Sequence, residues 1–183
     1  MMKYIVMYSS KYGSTQKYAK WIGEALSCEV KDIREISSGM LQKYDVVIHG
    51  GSLYAGGVSG MKQLVKLYPV ISDKKLILFT CGLADPTSSQ NIMHIENGVA
   101  KAVSKDMYDN MKQFHFRGGI DYSRLSLIHK MMMWMLCQTM KKKGYNNLSD
   151  EDKLMLDTYG KQIDFSDKST IKLLVDYATT YRT

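Results

Sequence analysis

Four short stretches hold most of the residues suited to gripping a small charged ligand: Ser9–Thr15, Gly51–Gly57, Cys81–Thr87 and Gly118–Tyr122. Each is rich in Gly, Ser, Thr or Tyr. The first, Ser9-Ser10-Lys11-Tyr12-Gly13-Ser14-Thr15, sets hydroxyls and one glycine directly before a helical pattern. Free amides at a helix start, the helix dipole and serine or threonine hydroxyls together suit a terminal phosphate monoester. At Gly13 a Cβ would block close approach of the backbone to such a group. Other nucleotide layouts are missing. No G-x-G-x-x-G follows the first strand, no G-K-[ST] occurs anywhere, and the first and third strands end in Tyr8-Ser9 and His49-Gly50 without Mg²⁺-binding carboxylates. The histidines His49, His94, His115 and His129 have no metal-ligand spacing, and no side-chain acid or base is singled out.

Elements that would position these stretches alternate along the chain. Tyr4-Ile5-Val6-Met7-Tyr8, Asp45-Val46-Val47-Ile48-His49 and Leu76-Ile77-Leu78-Phe79-Thr80-Cys81 read as strands buried on both faces. Glu29–Ile33 reads as a weak edge strand and Gln113–Arg117 as the last. Between them lie helical patterns: Tyr18, Trp21, Ile22, Ala25 and Leu26 on one face, then Met61, Leu64, Val65 and Leu67 in a helix stopping before Pro69, then Gln90 to Lys105. Strand–helix alternation implies a parallel sheet covered on both faces, with ligands bound beyond the carboxyl ends of the strands. The four stretches above all follow strands.

The chain has 183 residues and a formal charge of +7, a length suited to one domain spanning 1–183. The charge is not spread evenly. The 33 residues from Met111 to Lys143 carry +6 and six of the 14 methionines, which leaves +1 for the rest. Within that stretch Met131–Cys137 is apolar all round a helix, with Lys130 before it and Lys141-Lys142-Lys143 after it. Such a helix needs a cover. Its own domain, a second subunit, a membrane headgroup layer and a greasy substrate all remain open, and lysine flanks suit anionic lipid. Nucleic acid is not expected, because basic and aromatic residues do not interleave there. Gly144–Asn147 would stop this helix. A short helical piece holding Leu154, Leu156, Tyr159 and Ile163 follows, then a last helix with Ile171, Leu173, Leu174, Tyr177 and Ala178 apolar. Three cysteines without a C-x-x-C pair fit a reducing cytosol, and no signal peptide or spanning apolar run is expected.

Here the chain resembles the flavodoxin-like family. Ser10-Lys11-Tyr12-Gly13-Ser14-Thr15 matches that family's FMN-phosphate loop, and residues 44–60, ending in Ser52-Leu53-Tyr54-Ala55-Gly56-Gly57, resemble the loop flanking one side of the flavin. The resemblance implies a doubly wound α/β fold with five parallel strands, a helical insertion at about 123–148, and FMN as cofactor. It implies that Ser10, Tyr12, Gly13, Ser14 and Thr15 hold the phosphate. Lys11 is counted with this cofactor-binding loop, although it departs from the family's often neutral loop and its side chain is expected to point to solvent. Ser52, Leu53, Tyr54, Ala55 and Gly56 would wall the ring, the Gly56-Gly57 pair permitting a peptide flip, and Cys81, Gly82 and Leu83 would face them. Within the family, the first loop, the aliphatic-Tyr-Gly pattern and the methionine-rich segment after Gly118–Tyr122 are most similar to bacterial menaquinone-dependent protoporphyrinogen oxidases. The leading expectation is an FMN-dependent oxidoreductase passing electrons from a reduced organic donor to a quinone-like acceptor. It would be cytoplasmic, peripheral at the inner face of the membrane or paired as a homodimer through 125–143. The alternative is a flavodoxin-type carrier with no substrate of its own, docking to redox partners; carriers of that kind are generally acidic.

Overall fold

The computed structural model describes residues 2–54, 57–148 and 150–180. Apolar, β-branched runs form the centre of a parallel sheet, β1 (Tyr4–Ser9), β3 (Val46–Tyr54) and β5 (Lys75–Gly82), flanked by the more polar β2 (Glu29–Asp32) and β6 (Met111–Arg117), in the order β2-β1-β3-β5-β6. A two-residue strand, β4 (Gly57–Val58), pairs antiparallel with the end of β3. Helices α1 (Ser14–Leu26), α2 (Ser38–Leu41), α3 (Met61–Ile71), α4 (Ser89–Ala102) and α5 (Lys105–Asp109) alternate with these strands. After β6 come β7 (Gly119–Asp121), α6 (Leu127–Lys143), α7 (Asp150–Asp157), β8 (Gln162–Asp164) and α8 (Lys172–Thr179). This is the doubly wound α/β order that the β-α alternation predicts.

Period-two alternation splits each strand between two cores. Ile5, Met7, Val47, Leu76 and Leu78 face Leu64, Ile71 and Val99 on one side. Val6, Ile48, Ile77 and Phe79 face Tyr18 and Ile22 of α1 and Leu174 and Ala178 of α8 on the other. Register then fixes where the strands end. Ser9 lies beside Gly51, Ser52 beside Cys81, and Gly82 beside Arg117, so the four segments following β1, β3, β5 and β6 emerge at one edge.

Several boundaries differ from the sequence reading, each for a physical reason. Gly51–Tyr54 is strand rather than loop, because Ser52 N donates to Ser59 Oγ at 2.8 Å and Leu53 pairs with Val58. Ala55 and Gly56 lie outside the described residues. Helix α3 continues through Pro69, since buried Ile71 anchors its last turn while only the Val65 carbonyl loses its N–H partner. The Gln90–Lys105 pattern is two helices, broken where Ser104 Oγ accepts from Met107 N and caps α5. Gly118–Tyr122 is not all loop, because β7 pairs antiparallel with β8, and that pairing also places Ile163 in a strand rather than a helix. Ala25 and Leu173 face solvent, and Trp21 is half-buried at the edge of the α1 core, with Lys17 Nζ 5.0 Å from its ring.

Candidate functional site

The four strand-end segments are tied to one another by short polar contacts. Ser59 Oγ donates to Ser9 O at 2.8 Å, joining the first segment to the β3–β4 hairpin. Gly118 N donates to Gly82 O at 2.6 Å, and Gly119 N donates to Ser14 Oγ at 3.1 Å. Arg117 Nε donates to Leu83 O at 3.2 Å, while its guanidinium lies 3.7 Å from Asp85. Close approach at Gly118 depends on the missing side chain: a Cβ there would stand 2.7 Å from Cys81 Sγ and 3.1 Å from Ser14 Cβ.

Between these segments lies a cleft of about 640 Å³, inside the roughly 300–1,000 Å³ usual for small-molecule sites. One end is the start of α1. Gly13 takes a left-handed conformation (φ 98°), which a β-carbon would strain, and no side chain caps the first amides of the helix. Thr15 is buried, and among the described residues its Oγ1 makes no hydrogen bond of ordinary geometry, though the Cys81 thiol is a neighbour. Uncapped amides, an orphaned hydroxyl and the positive end of a helix dipole fit a phosphate monoester. Beyond this end the cleft is lined by Leu53, Tyr54, Cys81, Gly82 and Leu83. Leu53 packs directly on Gly82, where a Cβ would stand 2.8 Å from Leu53 Cδ1, so these two segments adjoin rather than face each other across a gap. Burial pushes the Cys81 thiol up to about 12, so Cys81 packs as a neutral small residue.

Most residues expected to bind a cofactor therefore converge. Ser10, Tyr12, Ser14, Thr15, Ser52, Leu53, Tyr54, Cys81, Gly82 and Leu83 all line the cleft, and Gly13 shapes the helix start. Lys11 does not line the cleft; it is exposed, with its ammonium 4.2 Å from the centre of the Tyr54 ring and 3.0 Å from His129 Nε2.

The far wall answers part of what the sequence left open about the methionine-rich helix. It comes from Ile120 and from the inward side of α6, with His129, Met132, Met133 and Leu136, and from Met155 of α7. The run of methionines was visible in the sequence, but not its orientation. His129 holds α6 to the first segment: Nε2 accepts from Lys11, and Nδ1 is bonded to the Tyr12 hydroxyl and lies 2.9 Å from Ser126 Oγ. Tyr54 and His129 meet edge to face at 4.5 Å, and Tyr54 OH reaches Met132 Sδ at 3.4 Å. Desolvation, then the Lys11 charge, hold the His129 imidazole below its ordinary range. The neutral ring accepts from the ammonium at one nitrogen and donates at the other. His129→Ala should weaken this clasp: hydrogen exchange of α6 amides is expected to speed up roughly tenfold while α1 is unchanged. Equal rates for both helices in the variant and the parent chain would remove the clasp.

Comparison with known proteins bears on what the cleft holds. The family model of the flavodoxin domain matches residues 5–147. The chain belongs to the flavodoxin domain family. No curated protein matches it. Among solved structures it is similar to a putative flavoprotein from Bacteroides eggerthii, at 14% identity over 63% of this chain and 86% of that one, with a TM-score of 0.47. It is also similar to a flavodoxin, WrbA-like protein from Agrobacterium tumefaciens, at 19% identity over 54% and 74% with a TM-score of 0.41. A third is a flavodoxin from the domain Archaea, at 15% identity over 67% and 89% with a TM-score of 0.40.

FMN is the cofactor of this flavodoxin-domain protein, and its residues fit that group: a phosphate end at the α1 amides and Thr15, and a largely apolar stretch lined by Leu53, Tyr54, Cys81, Gly82 and Leu83. When bound, FMN supplies electron and hydride exchange at its ring. The protein's part would be to fix the phosphate at the α1 start and to flank the ring with the apolar side chains that line the cleft. Among the described residues no cluster of His, Cys, Asp or Glu is placed to hold a metal ion, and no helix is long and apolar enough to cross a membrane.

Proposed function

We propose that this protein is an FMN-dependent oxidoreductase that takes electrons from a reduced organic donor and passes them to a quinone-like acceptor within the cleft. One observation carries this reading: the cleft continues past the phosphate end against an apolar wall of Met132, Met133, Leu136 and Met155. A carrier that hands electrons to docked proteins needs an exposed ring edge, whereas here α6 screens the site and offers a greasy chamber. Methionine side chains adapt to flat, polarisable molecules, which suits a quinone. Lys11, at the same mouth beside Tyr54, gives an anionic substituent a partner. A reduced tetrapyrrole such as protoporphyrinogen, flat and carrying carboxylates, is the donor most consistent with those two features and with the sequence resemblance.

The reading is checked with the FMN-loaded protein. Saturable oxidation of protoporphyrinogen with menadione as acceptor is expected, with one-electron exchange against a flavodoxin reductase slow or missing. Rapid exchange with the reductase and no turnover with menadione would replace the enzyme by a carrier.

A further inference from the structure

We propose that the outer side of α6 is a docking surface for an anionic lipid bilayer, on which the helix lies flat. Packing within the chain covers only one side of this helix: Cys137, Met140 and His129 are buried. The opposite side carries Leu127, Ile128, Met131 and Trp134 at helical spacing, with Ile128 67% and Trp134 53% exposed, while Met135 stands at the border with the cleft. So wide an apolar surface on one helix marks a contact site rather than scattered exposure.

Charge decides what the contact is. Lys130 stands beside this surface, and Lys141, Lys142 and Lys143 end it, all of them exposed. No acidic residue occurs between Asp121 and Asp150. A second copy of the chain is a poor cover. Antiparallel pairing of two α6 helices would set Lys130 against Lys141–Lys143, and parallel pairing would set the lysine triplets against each other, with nothing acidic between. An anionic headgroup layer has the complementary charge. Tryptophan and aliphatic side chains can sink to the headgroup–acyl boundary while lysine stems reach back to phosphates. The helix is 17 residues long, about 25 Å at 1.5 Å per residue, and its lysines fit a surface position rather than a crossing one. This inference does not rest on the electron-transfer reading, since it needs only the folded chain.

Vesicle sedimentation of the full chain tests it. Binding is expected at low salt to vesicles half of phosphatidylglycerol, with little to phosphatidylcholine alone and release at high salt. In a Trp21→Phe background, Trp134 emission should shift to the blue on binding and be quenched by bromolipid. The triple change Lys141→Glu, Lys142→Glu, Lys143→Glu touches only exposed side chains and should weaken binding roughly a hundredfold or more. Circular dichroism and FMN uptake of that variant should match the parent. No binding to anionic vesicles at low salt would overturn the proposal. So would equal binding to neutral vesicles, or a Trp134 blue shift that grows with protein concentration without lipid, the mark of a second copy.

Discussion

Ser14→Glu is expected to yield a folded chain that takes up no FMN. Ser14 opens α1, whose first turn has no acidic residue and no side-chain cap. A carboxylate at that place interacts favourably with the free amides and the helix dipole, by about 0.3–1 kcal/mol. That gain roughly offsets the lost bond from Gly119 N to Ser14 Oγ, about 1 kcal/mol. The flavin-free protein should therefore melt within a few degrees of the parent. The phosphate meets the opposite situation. At about 4 Å and an effective dielectric near 20, each unit of like charge costs roughly 4 kcal/mol, so FMN affinity should fall by at least about a thousandfold. Titration of flavin fluorescence reads the affinity, and a melting curve of flavin-free protein reads the fold. A yellow variant with parental affinity would show that the phosphate lies elsewhere. Thr15→Val keeps the volume and removes only the orphaned hydroxyl. Its expected loss is smaller, roughly tenfold.

How far the sequence revealed this site depended on whether neighbouring residues or distant ones decided it. The strands were legible because Tyr4–Tyr8, Val46–His49 and Leu76–Cys81 are apolar on both faces, a pattern that only a covered parallel sheet explains. Once those strands are parallel, the segments after them must share one edge, and so the phosphate loop and Cys81–Leu83 were predictable together. The β3–β4 hairpin was not, because its pairing depends on Ser59, which reaches both Ser52 N and Ser9 O. Two glycines in a row read as loop, yet Gly50 and Gly51 serve packing: a Cβ on Gly50 would meet the Phe79 ring at 2.1 Å. The inward side of α6 was hidden for a different reason. With apolar residues all round the helix, periodicity carries no direction. Contacts from far away in sequence fix which side faces the cleft: His129 reaches Lys11 and Tyr12, and Tyr54 reaches Met132.

His49 should make the fold acid-sensitive well above the range where carboxylates titrate. It lies wholly buried on β3, where Nε2 donates to Ser59 O at 3.2 Å and Nδ1 has no partner. Through Ser59 it supports the hairpin and, one bond further, the start of the phosphate loop at Ser9. Burial holds the imidazole down to about 4, with the Ser59 carbonyl opposing only weakly, against an ordinary value of 6.5. Above pH 6.5 the ring is neutral in both folded and unfolded chains, and stability is full. Below that, the unfolded chain takes up a proton that the folded one refuses, so stability falls until the buried ring itself titrates near pH 4. Over that window the loss from His49 alone is roughly 3 kcal/mol, a large part of the stability of an ordinary domain. His115, also held low by burial, adds in the same direction. Urea unfolding at pH 7 and pH 5 should therefore differ by about 2 kcal/mol from His49. His49→Gln keeps an N–H for Ser59 O and cannot titrate, so it should lose most of that difference even if it is less stable at pH 7. An unchanged pH dependence in His49→Gln would mean that another group, not this ring, sets the acid limit.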